Sequence, residues 1–250
     1  MVLTAYPVAG KQKSFDICLA FSRAAGGQIA GAKLRPGAAF FYGVDKSNAE
    51  VWRQVVAGGQ EFFYSDNSYF DATRQHHFRV TRNALQHSGR GESDGKRFAA
   101  LGIEIKPWRA GGDYILLCPQ SEHFMHTVVG ESGSWVPRTI AALQRITDRP
   151  IKVRHWSANK AIQSASLAQD LEHAHSVVTW SSAAAVSAVL AGVPVVTMGQ
   201  CAAEPMAGAL KDIENLPRSD DRLGWANVLA DQQWSMEEIR NGTAWRALNG

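Results

Sequence analysis

Residues 175–199 read HSVVTWSSAAAVSAVLAGVPVVTMG, and this stretch decides the fold. His175–Trp180 is a short, β-branched, apolar run, the pattern of a buried strand. Ser181–Ala191 continues in small and aliphatic residues at helical spacing. Gly192 stands one residue past that helix, where a left-handed C′ glycine stops it, and Pro194 prevents its resumption. Val193–Thr197 is then a second buried strand. Strand, helix, strand in 23 residues is one βαβ unit, which demands a parallel sheet.

The same alternation extends upstream. Tyr114–Cys118 is an apolar strand closed by Pro119, and Gln120–Gly133 is a polar loop. Trp135–Ile146 is a helix with Ser134 as cap and Pro137 in its first turn. Pro150–Arg154 is a strand and Ser166–His173 a short helix. In the first half, Ile17–Phe21, Ala38–Tyr42 and Glu61–Tyr64 read as strands and Ala49–Ala57 as a helix. Lys106–Asp113, with Pro107 and a Gly111-Gly112 pair, reads as a hinge. Arg222–Leu248, with Trp225, Val228, Leu229, Trp234, Ile239, Trp245 and Leu248, reads as two amphipathic helices that cap the sheet or cross back to the first lobe. The expected division is an α/β lobe at 1–107, a Rossmann-like lobe at 108–221 and a helical tail at 222–250.

Composition excludes several classes. At 250 residues, 45% hydrophobic and 20% charged, the chain is neither disordered nor in need of staples. The net charge of +3 permits a polyanionic partner without requiring one. Cys18, Cys118 and Cys201 lack metal-ligand spacing and read as small core residues of a reducing compartment. No apolar window reaches the length of a membrane span, and the first residues lack the apolar core of a signal peptide. A cytoplasmic location is expected, that of the host if a phage encodes the chain.

Open parallel sheets bind ligands beyond the carboxyl ends of their strands, where helix N-termini point. Thr179, Ser181 and Ser182 stand at such an end, offering hydroxyls and amides to a phosphate; the alternative is that the serines only cap the helix. Here the sequence resembles the donor-phosphate region of GT-B glycosyltransferases, in which a small-residue loop and helix lead into an A-x-G-x-P-V turn, here Ala191–Val195. Ile115–Ser121 resembles the first strand of the same lobe and Lys152–His155 its second. The resemblance implies two Rossmann-like lobes facing a cleft, with helices packed across. It also implies a nucleotide-sugar bound as substrate by Gln120, Ser121, Arg154, His155, Thr179, Ser181 and Ser182, with no tightly held cofactor. UDP-sugar is the first expectation, with CMP- or GDP-sugar as alternatives. Retaining members carry a glutamate where this chain has Ser187, so the pattern favours an inverting transfer. No D-x-D pattern demands a metal. The double serine is also what capsule-polysaccharide and sialyl- or Kdo-transferring relatives show, which keeps CMP open.

Transfer to a hydroxyl needs a base. Asp66, after the apolar run Phe62–Tyr64, is the first choice and Asp45 the second; an Asx-turn is the alternative role for Asp66. Arg79, Arg82, His76, His77 and His87 form a basic stretch interleaved with Tyr69, Phe70 and Phe78, which suits a nucleic-acid strand or an ordinary amphipathic surface. The D-N-x-Y-F and F-R-V-T-R-N-A-L-Q-H segments resemble compact phage-type and bacterial glycosyltransferases that modify hydroxymethylpyrimidines in DNA or build surface polysaccharide. That resemblance implies an acceptor, DNA being the first reading, at Asn67, Tyr69, Arg79, Arg82, Asn83 and His87. The competing classes are a surface-polysaccharide transferase, a sugar-nucleotide epimerase and a non-catalytic nucleotide- or DNA-binding module. Consumption of donor without acceptor marks the epimerase, and binding without turnover marks the module.

Overall fold

The computed structural model describes residues 2–131, 133–155 and 166–249. The chain divides into two compact units. The first comprises Met1–His87, His123–Gly130 and Gln232–Gly250; the second comprises Ser88–Glu122 and Glu131–Asp231. In chain order the elements begin with β1 (Leu3–Ala5), α1 (Gln12–Ala24), β2 (Gln28–Ile29), β3 (Ala38–Tyr42), α2 (Ala49–Ala57), β4 (Phe62–Asn67) and β5 (His77–Arg82). They continue with α3 (Lys96–Leu101), β6 (Tyr114–Cys118), α4 (Glu122–Phe124), α5 (Trp135–Leu143), β7 (Ile151–Val153), α6 (Leu167–Glu172), β8 (Ala174–Thr179), α7 (Ala184–Leu190), β9 (Val195–Thr197) and α8 (Arg222–Asp231). The chain then returns to the first unit through β10 (Gln233–Ser235), α9 (Met236–Arg240) and α10 (Thr243–Asn249). Among the described residues no helix is long and apolar enough to cross a membrane.

The first sheet has the order β10-β5-β4-β3-β1-β2. β2, β1, β3 and β4 run parallel, while β5 and β10 add an antiparallel edge. Side-chain alternation buries both faces. Phe40 and Phe63 point toward α1, meeting Ile17, Cys18 and Phe21, with Trp234 and Ile239 in the same core. Phe41 and Tyr64 point the other way, onto Val51, Trp52 and Val55 of α2. Each such aromatic, wholly removed from water, stabilises the unit by roughly 2–3 kcal/mol. The second sheet, β7-β6-β8-β9, is parallel throughout, as the strand–helix alternation requires. Its central strands β6 and β8 are buried almost end to end, matching their near-continuous apolar sequence.

Several expectations need correction. Ile17–Phe21 is not a strand but part of α1, in which Ser14, Ile17, Cys18 and Phe21 form one buried stripe at helical spacing. A five-residue apolar run cannot by itself distinguish the two. The expected loop Gln120–Gly133 contains α4 and a π-helical turn, Met125–Val129, with Ser132 outside the described residues. β4 extends to Asn67, so Asp66 lies within the strand. The tail is not two helices alone. Trp234 is 1% exposed because Gln233–Ser235 pairs antiparallel with β5, Trp234 opposite Phe78. Ser235 then caps α9 through a reciprocal box with Glu238.

The Pro-Gly segment expected as a hinge is bound along the end of α7. Lys106 donates its backbone N–H to Leu190 O at 2.9 Å and Arg109 its own to Gly192 O at 2.9 Å. Gly192 ends α7 in a Schellman motif, with its N–H on Val189 O and that of Val193 on Ala188 O. It adopts φ +75°, and a Cβ there would lie 2.0 Å from Pro107 O. Residues 88–107, expected with the first lobe, accordingly belong to the second unit.

Gly192→Ala is therefore expected to cost more than a left-handed alanine alone, on the order of 3 kcal/mol in urea denaturation, because the 106–109 strap must also move. Gly102→Ala, at φ +61° with nothing within 4 Å of its Cβ, is the control and costs about 1–2 kcal/mol. Equal losses would show that the close approach at Gly192 carries no energy.

Candidate functional site

In the second unit the residues expected to hold a donor gather where β6, β7 and β8 end. β6 and β8 are in register at Cys118 and Thr179. Two residues further on, the same offset brings Gln120 to Ser181. Gln120 Nε2 donates to Ser181 Oγ at 3.3 Å, and Ser181 N donates back to Gln120 Oε1 at 3.3 Å. Below them, Thr179 Oγ1 donates to Cys118 O at 2.5 Å and accepts from Ser182 N at 3.2 Å. Thr179 and Ser181 are buried at 0% and 3% exposure, so they shape the loop, while Ser182 remains partly accessible. Ser182 Oγ accepts from Ala184 N at 3.2 Å, closing a tight turn just ahead of α7, whose N-cap position is Ala183. Ser121 and His155 are exposed beside these ends.

Arg154 continues the β7 ladder, its N–H on Leu117 O at 2.8 Å. Its guanidinium is held by Asp170 of α6, a carboxylate with only 2% of its side chain exposed. Lys152 reaches the other oxygen of Asp170 at 2.5 Å. That hydrogen bond raises the Lys152 pKa above its ordinary value. Sequence reading took Arg154 as a phosphate fork and missed its anchor. Asp170 belongs to the short helix expected over 166–173, which Ser166 and Gln169 cap reciprocally, but nothing local marks it as the acceptor of a basic pair one strand away. A buried carboxylate with two cationic partners holds the basic tip of β7 in place.

In the first unit, Asp66 stands near the carboxyl end of β4 with its side chain 39% exposed. Arg79 Nη2 donates to Asp66 Oδ2 at 2.9 Å and Arg79 Nη1 to Asn67 O at 2.8 Å. Asn67 N donates to Asp66 Oδ1 at 2.7 Å. Asn67 Oδ1 accepts from both Lys13 Nζ at 2.9 Å and Tyr42 Oη at 3.1 Å. Burial raises the Tyr42 pKa, the Asp66 charge adding to it, so the phenol stays a donor. Burial lowers that of Lys13, against the pull of Asp66, and its ammonium lies 4.9 Å from the Phe78 ring centre. Reading Ile17–Phe21 as a strand hides that Lys13 stands in the first turn of α1, and Tyr42, although on an expected strand, gains its role only through Asn67, 25 residues away.

The remaining acceptor-side residues do not form one surface. Strand alternation puts Arg79 and Arg82 on opposite faces of the sheet. Arg82 pairs with Glu61 at 2.5 Å and lies over Phe63, on the α1 face. Tyr69 is fully buried and takes His87 N on its hydroxyl at 2.8 Å. Burial lowers the His87 pKa. Asn83, at φ +53°, exchanges hydrogen bonds with the Phe62 backbone at the sheet end. Asp45 closes a turn by accepting from Ser47 N at 2.7 Å and Ser47 Oγ at 2.5 Å before α2 begins. Among the described residues no three His, Cys, Asp or Glu converge as metal ligands do. Cys18 and Cys118 are buried, and burial pushes both thiols up to about 12.

Mostly parallel sheets, helices on their faces and polar residues at the strand ends define a Rossmann-like α/β architecture of the kind found in glycosyltransferases. Two solved structures from Thermosulfurimonas dismutans share it. The KpsC beta Kdo 2,7 transferase superposes with a TM-score of 0.55 at 12% identity, over 99% of this chain and 100% of that one. The KpsC beta Kdo 2,4 transferase does so with a TM-score of 0.50 at 13% identity, over 92% and 90%. At such identities the likeness is one of fold. No protein-family model matches the chain, and no curated protein matches its sequence.

Asp170→Asn should destabilise the second unit by about 3 kcal/mol, since removing one partner of a buried pair strands the other. Thermal unfolding checks this. A shift indistinguishable from zero would mean that Lys152 and Arg154 find solvent instead.

Proposed function

We propose that this chain is a glycosyltransferase of surface-polysaccharide assembly that uses a nucleotide-activated sugar. The observation that carries the proposal is fold agreement over nearly the whole of this chain with two transferases that act with Kdo. The polar strand ends around Gln120 and Ser182 supply a place for the donor that fits this reading. A DNA acceptor rested on the basic–aromatic stretch, which the sheet divides between two faces. A glycan hydroxyl is the better assignment. With the serine pair, Kdo-transferring neighbours also favour a CMP-activated acidic sugar over UDP- or GDP-sugars.

In the proposed reaction the acceptor oxygen attacks the anomeric carbon while the bond from that carbon to the phosphate oxygen breaks. The electron pair departs with the nucleotide, and the acceptor proton passes to a carboxylate. Within the first unit, taken by itself, the carboxylate proposed for that role is Asp66, at the carboxyl end of β4. Ser182, the amides at the start of α7 and the Arg154 guanidinium stabilise the departing phosphate. Attack from the face opposite the leaving group inverts the anomeric centre.

The test incubates the protein with CMP-, UDP- and GDP-sugars and with either an oligosaccharide or hydroxymethylpyrimidine DNA, read by mass spectrometry. A sugar increment on the oligosaccharide from the CMP donor is expected. Transfer to DNA alone, or donor consumption without an acceptor product, contradicts the proposal. Ser182→Ala should weaken donor binding by about 1–3 kcal/mol in calorimetry. Asp66→Asn should retain donor binding and lose two or more decades of turnover, roughly the share of a general base. Wild-type rates in Asp66→Asn would remove it from the chemistry.

A further inference from the structure

We propose that Trp180 is the stacking platform for the base of the donor nucleotide, an assignment that rests on the donor reading above. Trp180 lies between Thr179 and Ser181 at the carboxyl end of β8, so its backbone is fixed by the same hydrogen bonds that fix the serine loop. It accepts Gly199 N at 2.9 Å and Met198 N at 3.2 Å on its carbonyl oxygen, which ties it to the end of β9. The indole lies against Gly199: a Cβ on that residue would sit 2.1 Å from Trp180 Nε1 and 2.5 Å from Cδ1. Trp135, only 3% exposed, meets the Trp180 ring edge to face at 6.2 Å and 85°. These contacts hold the plane of the ring without removing it from water, for Trp180 is only half-buried.

A strand-end tryptophan left partly in solvent is unusual where Thr179, Ser181 and Cys118 around it are buried. Met198, 41% exposed, is tied through its backbone N–H to the Thr179 and Trp180 carbonyls. The Trp135 indole N–H is buried without a hydrogen-bond partner among the described residues, so Trp135 serves the Trp180 ring by packing alone. Flat apolar area beside a hydroxyl-and-amide loop is the pairing a nucleotide requires: the loop takes phosphate, and the ring takes a base, every one of which has a π-face. Gly199 is explained by the same geometry, since any side chain there would lift the indole.

Calorimetry with CMP and with ribose 5-phosphate tests the assignment on wild type, Trp180→Ala and Trp180→Phe. The expected result is that Trp180→Ala raises the Kd for CMP about tenfold or more, leaves that for ribose 5-phosphate unchanged, and that Trp180→Phe stays close to wild type. Unchanged CMP affinity in Trp180→Ala overturns the proposal. So does equal weakening of both ligands, which would mean that the ring only supports the serine loop. Wild type that binds ribose 5-phosphate but no better with a base attached overturns the platform alone. Wild type that binds neither ligand overturns the donor reading and the platform with it.

Discussion

The parallel pairing of β6 with β8 is the constraint on which the second unit depends. Its register sets Cys118 beside Thr179, and the same offset carries past the strand ends to join Gln120 and Ser181. Thr179 spends its hydroxyl on the Cys118 carbonyl and receives Ser182 N, so the chain leaves β8 in one fixed direction. At about 1 kcal/mol each these hydrogen bonds are individually modest. Together they settle which serine is buried and which is reachable, and they aim Trp180 sideways out of the strand. A slip of one residue would exchange the two serines and send the indole inward.

The first unit obeys the same alternation with a different result. On β4, Asp66 and Asn67 face opposite sides, yet both lie at the carboxyl end, where Arg79 ties the Asp66 carboxylate to the Asn67 carbonyl. On β5, Arg79 and Arg82 also diverge, so two arginines three positions apart do different things. Arg79 orders the Asp66 side chain, and Arg82 helps seal the sheet edge against Glu61 and the Leu248 carbonyl.

Much of the second unit was legible because a buried parallel strand is nearly uniform in sequence and its helices have clear stops. Tyr114–Cys118 and the Gly192 terminus are read directly from such signals, as is Ala49–Ala57 in the first unit. What stayed hidden depends on distance in the chain. Asp170 acquires meaning only through Lys152 and Arg154, and Lys13 only through Asn67, 54 residues away. β10 is a strand because β5 offers an edge, not because Gln233-Trp234-Ser235 is strand-like. Composition alone made the Arg79–His87 stretch look like one surface, since a linear reading counts charges without assigning them to faces. Trp180 stood in plain view inside the decisive stretch, but its half-exposure follows from Gly199 and Trp135 rather than from its neighbours in sequence.

Hydrogen–deuterium exchange with and without CMP tests most directly whether the β6 and β8 ends receive the donor. Slower exchange in peptides covering residues 118–121 and 179–186, with the amino ends of the same strands unchanged, is the predicted outcome. Protection confined to other segments, or no protection at saturating nucleotide, would contradict it.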